Sequence, residues 1–137
     1  MKALSLWPSQ ERQQIKGILT DIDDTLTQHG RLDSATLNAI ERAKAAGLRV
    51  IAVTGRASFW AQPLLKLCRF DALIAENGAS AFWLDKEGHE QRKFYADQIT
   101  IERHRMRLEQ FARYVQMQFP SLNLVPDLMQ RVGDMSF

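Results

Sequence analysis

The sequence predicts an α/β fold organised around a partial parallel sheet, and three observations carry that prediction. Short apolar runs with β-branched residues recur at 18–20, 50–53 and 72–75, the composition of strands buried on both faces. Segments with helical spacing separate them, and strand–helix–strand alternation is the pattern of a parallel sheet with right-handed crossovers. Each run then stops in polar residues: Asp21, Asp23 and Asp24 after the first, Thr54-Gly55-Arg56 after the second, Glu76-Asn77-Gly78 after the third. In open α/β sheets the C-terminal strand ends share one edge, which is where ligands bind.

Taken in order, residues 1 to about 15 are polar, broken by Pro8, and read as a lead-in of low order. The first strand ends at Thr20. Asp33 or Ser34 can cap a helix whose apolar positions Leu37, Ile40 and Ala43 recur at helical spacing, with Gly47 as its stop. The second strand covers 50–53, and a helix follows between Ser58 and Cys68, with Pro63 either opening it or kinking it. The third strand covers 72–75. Beyond Gly78 the pattern changes. Residues 80–84 and 91–95 read as a hairpin turning at 85–88. Thr100 is the expected cap of a long helix with Ile101, Leu108, Phe111, Ala112, Val115 and Phe119 on one face, stopped by Pro120. Residues 122–125 and 131–137 read as two more strands. The predicted organisation is a core over residues 1–80 and a second module over 81–137.

Bulk properties exclude several classes. A chain of 137 residues suffices for one domain with a real core, and its 45% hydrophobic and 25% charged content is that of a soluble globular protein. A net charge of +2 is too weak to argue for nucleic acid. The basic stretch Arg103-His104-Arg105-Met106-Arg107 alternates with Glu102 and Glu109 and lacks aromatic interleaving, so it reads as a solvated helix face. No run approaches the roughly 20 apolar residues of a membrane span. The only cysteine, Cys68, reads as a small core hydrophobe and forbids an intrachain disulfide. These features point to a cytoplasmic setting and to neither a nucleic-acid nor a membrane partner.

The loop after the first strand carries the chemistry. Asp21 and Asp23 lie two residues apart at a strand end, where carboxylates repel unless a cation or a shared proton compensates. Mg²⁺ takes oxygen ligands from one or two carboxylates plus substrate phosphate, so the pair suits Mg²⁺ and a phosphoryl group. Read alone, the run is equally an Asp-rich turn, or a helix cap at Asp23 or Asp24.

In order and spacing, Asp21-x-Asp23-x-Thr25, the run 50–53 ending in Thr54, and the extended forms Thr54-Gly55-Arg56 and Glu76-Asn77-Gly78-Ala79 resemble the haloacid dehalogenase superfamily of phosphohydrolases. The last two forms are similar to the subgroup containing sucrose-phosphate, trehalose-phosphate and mannosylphosphoglycerate phosphatases. The resemblance implies a three-layer Rossmann-like core followed by the start of an α+β cap. It implies a Mg²⁺-dependent phosphomonoester hydrolase acting through an aspartyl-phosphate, on a phosphorylated sugar or sugar acid. Under it Asp21 is the nucleophile and Asp23 the general acid and base, with Mg²⁺ on Asp21 and Asp23. Thr54, Gly55, Arg56 and Asn77 bind substrate, and Thr25 shapes the loop through its hydroxyl; read from the residues alone, Arg56 equally forms an ion pair with a nearby acid and Asn77 equally caps its own turn.

Two later elements of that family, a supporting Lys and an acidic G-D-x₃₋₄-D motif, are not recognisable; Gly133-Asp134 imitates only the start of the second. The chain therefore reads as an N-terminal portion, with a capless octulosonate-phosphate-type phosphatase, a phosphomutase and a non-catalytic remnant as alternatives. A sheet lacking strands leaves an unpaired edge through which copies can associate. The expected ligand is a small phosphorylated metabolite.

Overall fold

A computed structural model describes residues 3–137. Met1 and Lys2, the start of the expected lead-in, lie outside the described residues. Of the rest of that segment, residues Leu4–Leu6 form a 3-10 turn and Ser9–Gln13 a short helix, α1, that buries none of its residues.

Five strands form one sheet in the order β1-β2-β3-β4-β5. β1 (Gly17–Asp21), β2 (Arg49–Val53) and β3 (Ala72–Ala75) are parallel, as the alternation predicts. β4 (Ser80–Leu84) runs antiparallel to β3, and β5 (Glu90–Phe94) antiparallel to β4. The hairpin expected to open a second module therefore extends the core sheet. Sequence patterning marks a hairpin but cannot say which strand its free edge will join.

Helices α2 (Ser34–Ala45) and α3 (Ser58–Leu67) pack on this sheet. Ile40 of α2 and Ala61 and Leu65 of α3 join Val50, Ala52, Leu73 and Phe82 of the strands in one buried cluster. Cys68 lies in that cluster, and burial pushes its thiol above the ordinary value, as suits a packing residue and not a nucleophile. Asp33 caps α2, its carboxylate accepting from Thr36 N–H at 2.7 Å, and Gly47 follows the helix with φ +83°. Pro63 lies inside α3, neither opening it nor ending it, and its missing N–H leaves the Phe59 carbonyl without that helical partner. Asp71 joins α2 to the sheet, accepting from Val50 N–H at 2.8 Å and Lys44 Nζ at 3.0 Å.

Four expectations are corrected. β1 is not buried: it is an edge strand, and Ile18 and Leu19 are 40% and 69% exposed, because only β2 flanks it among the described residues. The long helix α4 (Gln98–Gln118) is capped by Asp97, not Thr100; Asp97 accepts from Thr100 N–H at 2.8 Å. Its Ile101 and Ala112 are buried, whereas Phe111 and Phe119 of the expected apolar face are exposed. Residues 122–125 and 131–137 are not strands. They touch through Val125 N–H to the Ser136 carbonyl at 3.2 Å, with a 3-10 turn at Leu128–Gln130 between them. Pro126 supplies no donor for a ladder, and the N–H groups of Val132 and Gly133 are taken by a side chain, Glu76.

Candidate functional site

Register brings the strand ends together. Asp21 pairs with Val53, and Val53 with Ile74, so Thr54 and the Glu76-Asn77-Gly78 turn lie just beyond Asp21 on the same edge. The loop after β1 reverses on the Ile22 carbonyl, which accepts from the N–H groups of Thr25, Leu26 and Thr27 at 3.4, 3.0 and 2.9 Å. Ile22 is buried and anchors this loop to the core. Asp24 adopts φ +54°, a left-handed conformation that Asp tolerates in turns. The hydroxyl that shapes the loop belongs to Thr27, not Thr25: it accepts from Asp24 N–H at 3.3 Å and donates to the Ile22 carbonyl at 3.1 Å. His29 sits in an exposed turn with φ +51°.

Asp21 ends β1 exposed, and among the described residues its carboxylate accepts no hydrogen bond. Asp23 is held differently. Its Oδ1 and Oδ2 accept from Arg56 Nε at 3.1 and 2.9 Å, and Oδ1 also from Nη2 at 2.6 Å. Hydrogen bonding to Asp23 keeps the Arg56 guanidinium charged to still higher pH than usual. Arg56 also lies 5.9 Å from the Trp60 ring, a cation–π contact that fixes its plane. Two neighbouring carboxylates thus differ: one is paired, the other is open.

Thr54 is buried, and its hydroxyl accepts from Arg56 N–H at 3.1 Å, holding the tight turn after β2. That oxygen's own hydrogen has no acceptor among the described residues. Asn77, with φ +54°, packs beside Gly55: a Cβ at position 55 would lie 3.1 Å from Asn77 Oδ1, so a larger residue there would press that side chain from its place by a few tenths of an ångström. Asn77 Nδ2 donates to Asp134 at 2.8 Å.

A network that sequence reasoning missed supports these turns. Glu76 is 1% exposed, and its carboxylate accepts four hydrogen bonds. Oε1 takes Ser58 N–H at 2.9 Å and the Ser58 hydroxyl at 2.6 Å; Oε2 takes the N–H groups of Val132 and Gly133 at 2.6 and 2.9 Å. A carboxylate at the first turn of α3 also suits the helix dipole. Arg131 is buried and internally satisfied. It donates to Asp127 at 3.1 Å, to Asp134 at 2.6 Å and to the Gly55 carbonyl at 3.1 Å. Burial alone would lower its proton affinity, but Asp127 and Asp134 outweigh that and leave the guanidinium firmly charged. Gly133-Asp134, which resembles the start of an acidic motif, serves to dock the segment: a Cβ at 133 would come within 2.4 Å of Ala79 Cβ. The signal for Glu76 was its place in the Glu76-Asn77-Gly78 turn; for Arg131 the neighbouring Asp127 and Asp134 were a local signal, but its contact with the Gly55 carbonyl, 76 residues away, had none.

Among the described residues no three His, Cys, Asp or Glu side chains form a group able to enclose an ion. Nor is any helix among them long and apolar enough to cross a membrane.

The fold has counterparts. The chain is similar to Thermoplasma acidophilum 0175, at TM-score 0.62 and 22% identity over 88% of this chain and 49% of that one. It is similar to BT1666 from Bacteroides thetaiotaomicron, described among phosphatases of the haloalkanoate (HAD) superfamily, at TM-score 0.52 and 24% identity over 81% of this chain and 40% of that one. A haloacid dehalogenase-like hydrolase from B. subtilis gives TM-score 0.52 and 26% identity, covering 72% of this chain and 34% of that one. The chain thus spans half or less of the length of these structures. No curated protein sequence matches it. Over residues 18–122 it matches the haloacid dehalogenase-like hydrolases, with the mostly parallel open sheet and acidic first loop just described, and it belongs to that family.

Proposed function

We propose that the protein is a Mg²⁺-dependent phosphatase that works through an aspartyl-phosphate on a small phosphorylated metabolite, a sugar phosphate or sugar-acid phosphate. The observation that carries this reading is the pairing of strand ends, which sets the open carboxylate of Asp21 beside the turn of Thr54. In the first step an Asp21 oxygen attacks phosphorus, the bond to the leaving oxygen breaks, and Asp23 supplies the proton that oxygen needs. In the second, Asp23 takes a proton from water, the water oxygen attacks phosphorus, and the Asp21–phosphorus bond breaks to release phosphate. The free hydroxyl hydrogen of Thr54 suits donation to a phosphoryl oxygen, where charge develops.

Both Asp23 oxygens are occupied by Arg56, so Asp23 can carry a proton only after that pair opens. A bound phosphoryl group competes for Arg56, since Arg binds phosphate in the same forked manner as carboxylate. Arg56 therefore has two states in this reading: holding Asp23, or holding substrate. The donors present fit Mg²⁺, a hard ion that takes one or two carboxylates plus phosphate: Asp21 offers a carboxylate and Asp23 a main-chain carbonyl. When bound, Mg²⁺ supplies charge neutralisation between nucleophile and phosphate. A cytoplasmic setting belongs to the same reading and is supported by the lone buried Cys68.

The test is hydrolysis of p-nitrophenyl phosphate with and without Mg²⁺. Activity is expected only with the ion, and Asp21→Asn is expected to abolish it with the circular dichroism spectrum unchanged. Activity retained in Asp21→Asn removes Asp21 from the nucleophile's role.

A further inference from the structure

A cleft of about 640 Å³ opens beside the candidate site, between the Glu76-Asn77-Gly78 turn and α4. From α4 it is lined by His104, Arg107, Leu108 and Phe111. These are positions i, i+3, i+4 and i+7, a single helix face. Within the mostly exposed basic stretch 103–107, His104 and Arg107 line the cleft, while Arg105 pairs with Glu109 at 3.3 Å. Tyr95 closes the wall, its hydroxyl 3.0 Å from His104 Nδ1 and its ring stacked on the imidazole at 5.8 Å.

The charged groups of this cleft differ in how they are held. Two acids line it, and both are satisfied internally. Glu76 has four donors, and Asp134 is held by Arg131 at 2.6 Å and Asn77 at 2.8 Å. Arg107 makes no hydrogen bond or ion pair with any described residue. The cleft wall thus carries a guanidinium with no carboxylate partner among the described residues, and it shares Asn77 with the phosphoryl site. A guanidinium with no carboxylate partner is a site for planar anions such as carboxylate or phosphate.

We infer that this cleft receives the leaving-group end of the substrate and that Arg107, with His104 held by Tyr95, recognises a second anionic group there, so that the preferred substrates are phosphomonoesters carrying a carboxylate or a second phosphate. The inference rests on the phosphatase reading for the identity of the first group, but the anion subsite stands or falls by itself.

The experiment compares matched pairs on the protein: 3-phosphoglycerate against glycerol 3-phosphate, which differ in a carboxylate, and fructose 1,6-bisphosphate against fructose 6-phosphate, which differ in a phosphate. The expected result is a kcat/KM preference of about tenfold or more for one doubly anionic member, the scale of a charge-assisted hydrogen bond. The pair that shows it identifies the second group. Arg107→Ala is expected to erase that preference, Arg107→Lys to restore part of it, and Arg103→Ala, on another face of α4, to leave it intact. Equal non-zero rates within both pairs, or a preference that survives Arg107→Ala, overturns the subsite. The same four compounds titrated calorimetrically into Asp21→Asn separate the two claims. An Arg107-dependent binding preference without any hydrolysis by the parent protein sustains the subsite and sinks the phosphatase reading.

Discussion

At the scale of single residues, Glu76 and Asp23 show how differently two carboxylates on one sheet edge are used. Glu76 is buried and accepts four hydrogen bonds from two segments, so its removal strands four donors at once. Glu76→Ala is expected to destabilise the fold by about 3 kcal/mol, read from urea unfolding, because buried donors without partners lose their solvation uncompensated. Glu76→Gln, which keeps the shape and one acceptor oxygen, is expected to cost less. The Asp23–Arg56 pair has the better geometry on paper, with three contacts of 3.1 Å or less, yet both side chains are about two-fifths exposed. Solvent screening makes such a pair worth about 1 kcal/mol or less. Arg56→Ala is therefore expected to leave the unfolding midpoint almost unchanged while lowering p-nitrophenyl phosphate turnover; a large fall in stability with normal turnover contradicts the two-state use of Arg56. The identities of Asp21, Asp23, Thr54, Gly55, Arg56 and Asn77 were all visible in the sequence. Their partners were not, because side-chain pairing depends on which loops the sheet register brings together.

At the scale of elements, local rules read well where the determinants are local. The cap at Asp33, the stop at Gly47 and the turn between β4 and β5 follow from residues within four positions of one another. The cap of α4 lies three residues before the one the sequence suggests, because Thr100 is also a good capping residue; the structure gives that role to Asp97, and Thr100 supplies the N–H that Asp97 accepts. Asp97→Ala is expected to lower the thermal midpoint, and Asp97→Asn, which keeps an acceptor, to lower it less. The failure at 122–137 is of another kind. Alternating apolar residues there suit a strand, but Val132 and Gly133 give their N–H groups to Glu76, and Arg131 is drawn inward by Asp127, Asp134 and the Gly55 carbonyl. A segment whose donors are claimed by side chains has none left for a ladder.

At the scale of the whole molecule, two properties are expected to be measurable. The first is acid sensitivity. Burial pushes the Asp71 carboxyl up, but the Val50 N–H and Lys44 outweigh it and leave it below its ordinary 3.8; Asp33 and Asp97 are lowered by the N–H groups of Thr36 and Thr100. Since each binds its proton more weakly when folded, its contribution is fully present above 3.8 and fades as the pH falls through the lower folded values. Denaturant midpoints should hold level down to that point and drop below it, with a shallower drop in Asp71→Asn. The second is association. β1 exposes its outer edge, with Leu19 69% exposed, and an unprotected edge is a template for another strand. Self-association through this edge is the expected outcome, seen as a concentration-dependent sedimentation coefficient that Leu19→Lys suppresses. A monomer at all concentrations counts against that interface.

The sequence by itself determined the parallel strands, the helices between them, and the acidic loop, Thr-Gly-Arg turn and Asn-Gly turn that end them. All of these depend on residue types and spacings within a few positions, where backbone preference and hydrophobic period act directly. The tertiary structure alone decided that the hairpin joins the core sheet, that β1 is an edge, that Asp23 is paired while Asp21 is open, and that Glu76 and Arg131 bind a distant segment to the site. Those outcomes turn on contacts between residues tens of positions apart. Burial and side-chain geometry, not local propensity, set their energies.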